Sequence, residues 1–175
     1  VDLAKVTSVL YPGQTRGGQY KPHGGFRLDN SSFDNVEVRV PIDAKLISGA
    51  RYLEQNEEQI VLDFKSDCGI DFRFDHLHKL SPKVQAEVDT LPRAQKDDSR
   101  TTNFNNEIRF KTGEIVATAV GFSQSKNVSF DFGVYDTRQP NDSSRDSAYI
   151  AAHPDLEKNN QLKYAVCWFD YLPKP

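Results

Sequence analysis

The sequence predicts a mostly β, single-domain protein of the sandwich or barrel kind. Three observations lead there. Aromatic residues make up 11% of the chain, with eleven Phe and seven Tyr, and such side chains suit half-buried pleated surfaces. Several stretches alternate strictly between apolar and polar residues, as strands with one wet face do. Turn residues separate these stretches at short intervals, the spacing of a sandwich or barrel rather than of helices over a parallel sheet.

Taken in order, the first 35 residues carry Tyr11-Pro12-Gly13, Gly17-Gly18 and Pro22-His23-Gly24-Gly25. They read as tight turns between short extended pieces. Val36-Glu37-Val38-Arg39-Val40 alternates and is ended by Pro41. Residues 44–53 form the next strand, with a bulge at Gly49. Gln55-Asn56-Glu57-Glu58 makes a polar hairpin tip before Gln59-Ile60-Val61-Leu62-Asp63-Phe64, and residues 68–77 alternate again. Ser81-Pro82 is a helix start signal, with Ser at the cap and Pro at the first position. That helix is short, because Thr90-Leu91-Pro92 stops it. Residues 93–106 are polar and read as a surface excursion. Strands resume over residues 107–110, 114–120 and 127–135. Residues 137–147 are a polar loop, and residues 162–172 read as a closing aromatic strand that carries Cys167 and Trp168.

Length and charge bound the function. A domain of 175 residues hides about 70% of its unfolded surface and needs no metal or disulfide merely to fold. The net charge is -3 with both signs interspersed, unlike the basic footprint of a nucleic-acid binder. No apolar run approaches a membrane span. The chain starts at Val1 and contains no Met, which reads as a mature or trimmed chain whose leader, if it had one, is gone. Cys68 and Cys167 either close a long loop in an oxidising compartment, worth about 4–5 kcal/mol by chain entropy, or are two free thiols.

Three segments, in order, resemble the motif blocks of the lysostaphin-type zinc endopeptidases that cleave peptidoglycan. Pro22-His23-Gly24-Gly25-Phe26-Arg27-Leu28 is similar to the block His-x-x-x-Asp, which supplies two zinc ligands. Residues 69–77, ending Phe74-Asp75-His76-Leu77, resemble the strand ending Tyr-x-His-Leu, whose His assists catalysis. Lys111-Thr112-Gly113-Glu114-Ile115-Val116-Ala117, followed by Asn127-Val128-Ser129-Phe130-Asp131-Phe132, looks like the closing turn, strand and His-x-His-Phe-Glu pattern. The likeness covers residues 20–135, about two-thirds of the chain, and leaves 136–175 as a C-terminal extension of one domain over 1–175. It implies an all-β barrel-sandwich of the duplicated-hybrid-motif type, a cell-envelope or extracellular location, and with it a Cys68–Cys167 disulfide.

The likeness also implies a lost catalytic centre. His23 stands at the first ligand position, but Arg27 replaces the ligand Asp, and Asn127 and Ser129 stand where the His-x-His pair belongs. A catalytic zinc needs three protein ligands and a water. A guanidinium stays protonated and repels a dication, and Asn and Ser are poor substitutes for imidazole. The expectation is therefore no zinc and no catalysis. The alternative is a zinc hydrolase on shifted ligands, His23, His76 and His78, the last two sharing a strand face; against it, His76 lines the groove and His78 reads as a solvated residue just before the turn at Ser81-Pro82.

In the fold so implied, His23, Arg27, His76, Asn127, Ser129 and Asp131 line a groove. Either Arg27 offers its forked donors to a carboxylate ligand, or it pairs with Asp131 or Asp29 and plugs the cavity. No Ser or Cys stands in a nucleophile's setting, and a structural role suits Cys68 better. Trp168, Phe169 and Tyr171 suit core packing better than a sugar platform. The function expected is a non-catalytic domain that binds a cell-wall peptide or glycan, or another envelope protein, through the former active-site groove.

Overall fold

A computed structural model describes residues 1–154 and 160–172. The chain is mostly β. Twelve strands form among the described residues: β1 (Ser8–Leu10), β2 (Gln14–Arg16), β3 (Gln19–Lys21), β4 (Gly24–Arg27), β5 (Val38–Arg39), β6 (Ala44–Glu54), β7 (Glu57–Lys65), β8 (Ile70–Leu80), β9 (Gln95–Lys96), β10 (Thr102–Phe110), β11 (Ile115–Val120) and β12 (Ser129–Asp136). Three short α-helices accompany them: α1 (Pro82–Val88), α2 (Ser147–Ala152) and α3 (Asn160–Tyr164). No described helix is long and apolar enough to cross a membrane.

The main sheet has ten strands, with the path β1-β4-β12-β8-β7-β6-β10. Branches place β11 on β8, β5 on β11, and β9 on β6. Among the described residues no pairing joins β1 to β10, so the sheet is not closed into a barrel. Among the described residues the two remaining strands, β2 and β3, pair only with each other.

Period-2 alternation decides which face of this sheet is core. On β12, Phe130 and Val134 are buried beneath Phe132, while Ser129, Asp131 and Gly133 point the other way. On β8, Phe72 and Phe74 face the core, and Asp71, Arg73 and Asp75 oppose them. Phe64 stacks on Phe72 with centroids 4.9 Å apart and meets Phe74 and Phe110 edge-on. Each such ring pair adds about 0.5–1.5 kcal/mol beyond its area burial. The apolar face holds the sheet together, and the polar face across β12, β8, β7 and β6 is left for the cleft.

Strand β8 changes partners midway. Its first half, through Asp75, pairs with β12, and its second half, from Leu77, pairs with β11. His76 sits at the junction with φ of 61°, and its carbonyl accepts from Gly121 N–H at 2.8 Å. Gly121 itself has φ of 85°, and a Cβ there would run into the Asn127 carbonyl. This pair of left-handed residues forms the bend.

Three expectations are corrected. The closing strand over 162–172 is instead α3, a single bridge between Ala165 and Tyr135, and a 3-10 turn at Trp168–Tyr171. The segment does not alternate: Tyr164, Ala165 and Val166 are all half-buried. It works as a plug, with Trp168 2% exposed and its indole N–H donating to the Phe132 carbonyl at 3.1 Å. Residues 155–159 and 173–175 of the C-terminal extension lie outside the described residues. The polar stretch 93–106 contains β9 and the first half of β10, an edge strand whose side chains are mostly exposed and so lack an apolar signature.

The third correction is the disulfide: Cys68 and Cys167 are free and exposed. Cys68 lies in the turn between β7 and β8, on one flank of β12. Cys167 follows Ala165 and Val166, which bond to Tyr135 and Val134 on the other flank. Two strand spacings of about 4.8 Å each separate those flanks, beyond the reach of about 7 Å between the Cα atoms of a bridged pair.

Candidate functional site

A cleft of about 540 Å³ lies on the polar face. Its floor comes from β12 and β8, its walls from β6, the β2–β3 hairpin and the Gly121–Asn127 turn. Asp131 stands at its centre because the residue opposite it in register, Gly25, has no side chain. A Cβ at Gly25 would lie 2.8 Å from Asp131 Oδ1 and 2.8 Å from the Phe130 carbonyl. The glycine pair 24–25 thus does two things: it opens room for the carboxylate, and it brings His23 next to it.

His23 Nε2 lies 2.9 Å from Asp131 Oδ2. Arg16 Nη2 stands 3.8 Å from the same oxygen and donates to the His23 carbonyl at 3.0 Å. His76 Nε2 is 4.0 Å away. Burial alone would raise the Asp131 carboxyl, but the His23 hydrogen bond and the charges of His23, His76 and Arg16 outweigh it and hold it below the usual carboxylate range.

His76 is oriented from behind. Its backbone N–H and the Tyr52 hydroxyl both donate to Asp75 Oδ1, at 2.8 and 2.7 Å. Its Nδ1 lies 3.3 Å from Gln59 Oε1. Gln59, fully buried, gives its amide N–H to the Gly121 carbonyl, which leaves Oε1 to accept from His76 Nδ1–H. With Nδ1 so engaged, His76 turns Nε2 toward the cleft and Asp131. Burial, reinforced by Asp75, pushes the Tyr52 hydroxyl well above its ordinary value, so it stays a donor. On the floor, Arg73 forks onto Asp63 at 2.6 and 3.0 Å, and Asp63 also accepts from Ser48 at 2.8 Å.

Five of the six groove residues expected from the sequence are brought together: His23, His76, Asn127, Ser129 and Asp131. Ser129 Oγ donates to Asn127 Oδ1 at 3.0 Å. Arg27 is the exception. It turns to Asp29 at 2.9 Å, outside the cleft and 41% exposed, and Thr7 holds the other oxygen of Asp29. Asp131 is therefore matched with His23 and Arg16 instead of Arg27.

The shifted zinc trio does not assemble. Sharing a face at i and i+2 assumes an unbroken strand, and the left-handed His76 breaks it. His78 points instead to the Gly121 carbonyl, with Nε2 at 2.9 Å, and packs on Phe33. Beside His23 and His76 the third candidate donor is Asp131, whose oxygen already takes the His23 N–H and faces a guanidinium. Among the described residues no group of three or more His, Cys, Asp or Glu side chains is placed to hold an ion. The residues present do not fit a zinc centre of the lysostaphin type.

Sequence reasoning missed Arg16, Tyr52, Arg73 and Asp75 as cleft residues, and the buried Gln59 behind His76. Arg16 lies in a Gly-rich stretch with no periodicity to mark it. Tyr52 and Gln59 are cross-strand partners on β6 and β7, and a buried Gln on an alternating strand was the available signal. No protein-family model matches the chain, and neither the curated proteins nor the solved structures contain a match. The lysostaphin-type likeness stands on its residues alone.

Proposed function

We propose that this chain is a non-catalytic, lysostaphin-peptidase-like domain of the cell envelope or extracellular space, which holds a cell-wall peptide or glycan in the cleft around Asp131. A segment of another envelope protein is the other occupant the likeness implies. The observation that carries the reading is the mutual engagement of the groups that would otherwise react. His23 and Arg16 converge on one oxygen of Asp131, and His76 is braced by Gln59, Tyr52 and Asp75. A general base needs a free lone pair beside a water or substrate proton, and His23 Nε2 is instead taken up by Asp131, with the Arg16 guanidinium beside the same oxygen. The cleft retains donors and acceptors at its walls, which suits a polar ligand.

The duplicated-hybrid-motif architecture belongs to the same proposal. It is supported by the order of the motif blocks and by the meeting of His23, His76 and β12 residues in one cleft. The envelope location rests on the likeness; the free thiols Cys68 and Cys167 add nothing to it.

One observation favours a second reading, a zinc hydrolase. His23 Nε2 and His76 Nε2 face the same Asp131 oxygen, at 2.9 and 4.0 Å. Against it stands Arg16, a fixed cation at 3.8 Å.

Calorimetric titration with purified peptidoglycan stem-peptide and disaccharide-peptide fragments tests the first reading, with mass spectrometry of the recovered fragments. Saturable binding of intact fragments is expected. Cleaved fragments, or no binding of any of them, would overturn it.

A further inference from the structure

Arg16 reaches the cleft on the β2–β3 hairpin, which shares no strand pairing with the ten-stranded sheet. The tip, Gly17-Gly18, is left-handed at both positions, and a Cβ on either would meet nothing within 4 Å. The tip stands clear of the body. The guanidinium is held loosely: one hydrogen bond to the His23 carbonyl, and one contact of 3.8 Å to Asp131. Its Nε–H is buried and meets no acceptor among the described residues. This is far from the forked pairing an arginine makes with a carboxylate when the site is built for it, as Arg73 does with Asp63 in the same cleft.

Asp131 nevertheless needs a positive charge beside it. When Arg16 leaves, Asp131 keeps the His23 hydrogen bond but loses the fixed cation beside it, and removing one charge of a largely buried pair is costly. A group that displaces Arg16 and brings its own positive charge offsets that loss. The surroundings favour one. Asp75, Glu54 and Asp97 also line the cleft, and the aromatic rings of Tyr52 and Phe122 stand among them.

We infer that Arg16 is a built-in stand-in for a ligand cation: the β2–β3 hairpin swings out, and an ammonium or guanidinium group of the ligand takes the place between the His23 carbonyl and Asp131. The inference rests on this cleft being the binding site, and it narrows the ligand to one that carries such a group.

Chemical rescue tests it. Ethylguanidinium is titrated at constant ionic strength into Arg16→Ala, into Arg16→Ala combined with Asp131→Asn, and into the unaltered protein, with tetramethylammonium as the control salt. The expected result is a saturable Tm rise of about 3 °C or more in Arg16→Ala, absent with tetramethylammonium and absent in the double variant. In the unaltered protein, ethylguanidinium is expected to speed amide hydrogen exchange across residues 14–21 severalfold, by competing for the same place. A folded Arg16→Ala that shows no saturable rise overturns the inference. If that variant fails to fold, unchanged exchange in the unaltered protein overturns it instead. Binding of cell-wall fragments without rescue would sink the cation site and leave the binding cleft standing. Rescue without binding of any such fragment would keep the cation site and retire the cell-wall ligand.

Discussion

Asp131 carries the electrostatics of the cleft, and its neighbours set how the protein responds to acid. Its carboxyl is held below the ordinary value in the folded state. The resulting stabilisation is fully present above about pH 4, the unfolded value, and is lost as pH falls through the lowered folded value. Urea unfolding from neutral pH down to about pH 3 is expected to show this acid-side loss, and Asp131→Asn is expected to flatten it. A variant that keeps the full acid limb would show that other carboxylates produce it. His23→Ala removes the hydrogen bond to Asp131 while leaving the carboxylate largely buried, with side-chain exposure of 17%. The expected cost is about 1–3 kcal/mol, read as a Tm lowered by roughly 3–10 °C. Arg27→Ala is expected to leave the Tm nearly unchanged, since its pair with Asp29 is exposed. The contrast between those two variants separates the cleft residues from a residue that only resembled one.

At the scale of elements, the bend in β8 decides what the cleft contains. Gly121→Ala places a Cβ against the Asn127 carbonyl at a left-handed backbone position. It is expected to cost more than about 2 kcal/mol and to loosen His76, whose carbonyl takes the Gly121 N–H. Loss of protection at the Gly121 amide in hydrogen exchange would report it. Strands with one buried face were legible from their alternation: Val36, Val38 and Val40 are all buried as the pattern required, and β7, β8 and β12 lie where the apolar periods placed them. Where backbone geometry rather than side-chain pattern governs, the sequence was mute. His76 and Lys79 adopt positive φ without being glycine, so the shared face that the zinc alternative needs for His76 and His78 does not form. Edge exposure hid the start of β10. The supposed disulfide failed for a reason of topology, since β12 runs between the two cysteines. Iodoacetamide added to folded protein without reductant is expected to modify both Cys68 and Cys167; a chain that takes up neither label would contradict their placement.

Across the whole molecule, an open ten-stranded sheet buries its aromatic face and leaves a polar one. Five residues that the motif likeness singled out meet on that polar face, although they come from three distant parts of the chain. Their meeting depends on long-range pairings, β4 with β12 and β12 with β8, which no local sequence pattern encodes. Arg16 was invisible for the same reason: a hairpin outside the main sheet delivers it. Arg16 holds a guanidinium 3.8 Å from Asp131, the carboxylate that a metal on His23 and His76 would need as a third ligand. Whether this arrangement excludes zinc is measured by incubating the tag-free protein with excess zinc, desalting, and counting zinc per chain by elemental mass spectrometry. The protein is expected to emerge without retained zinc. One zinc per chain, lost on His23→Ala, would contradict it and return the cleft to catalysis.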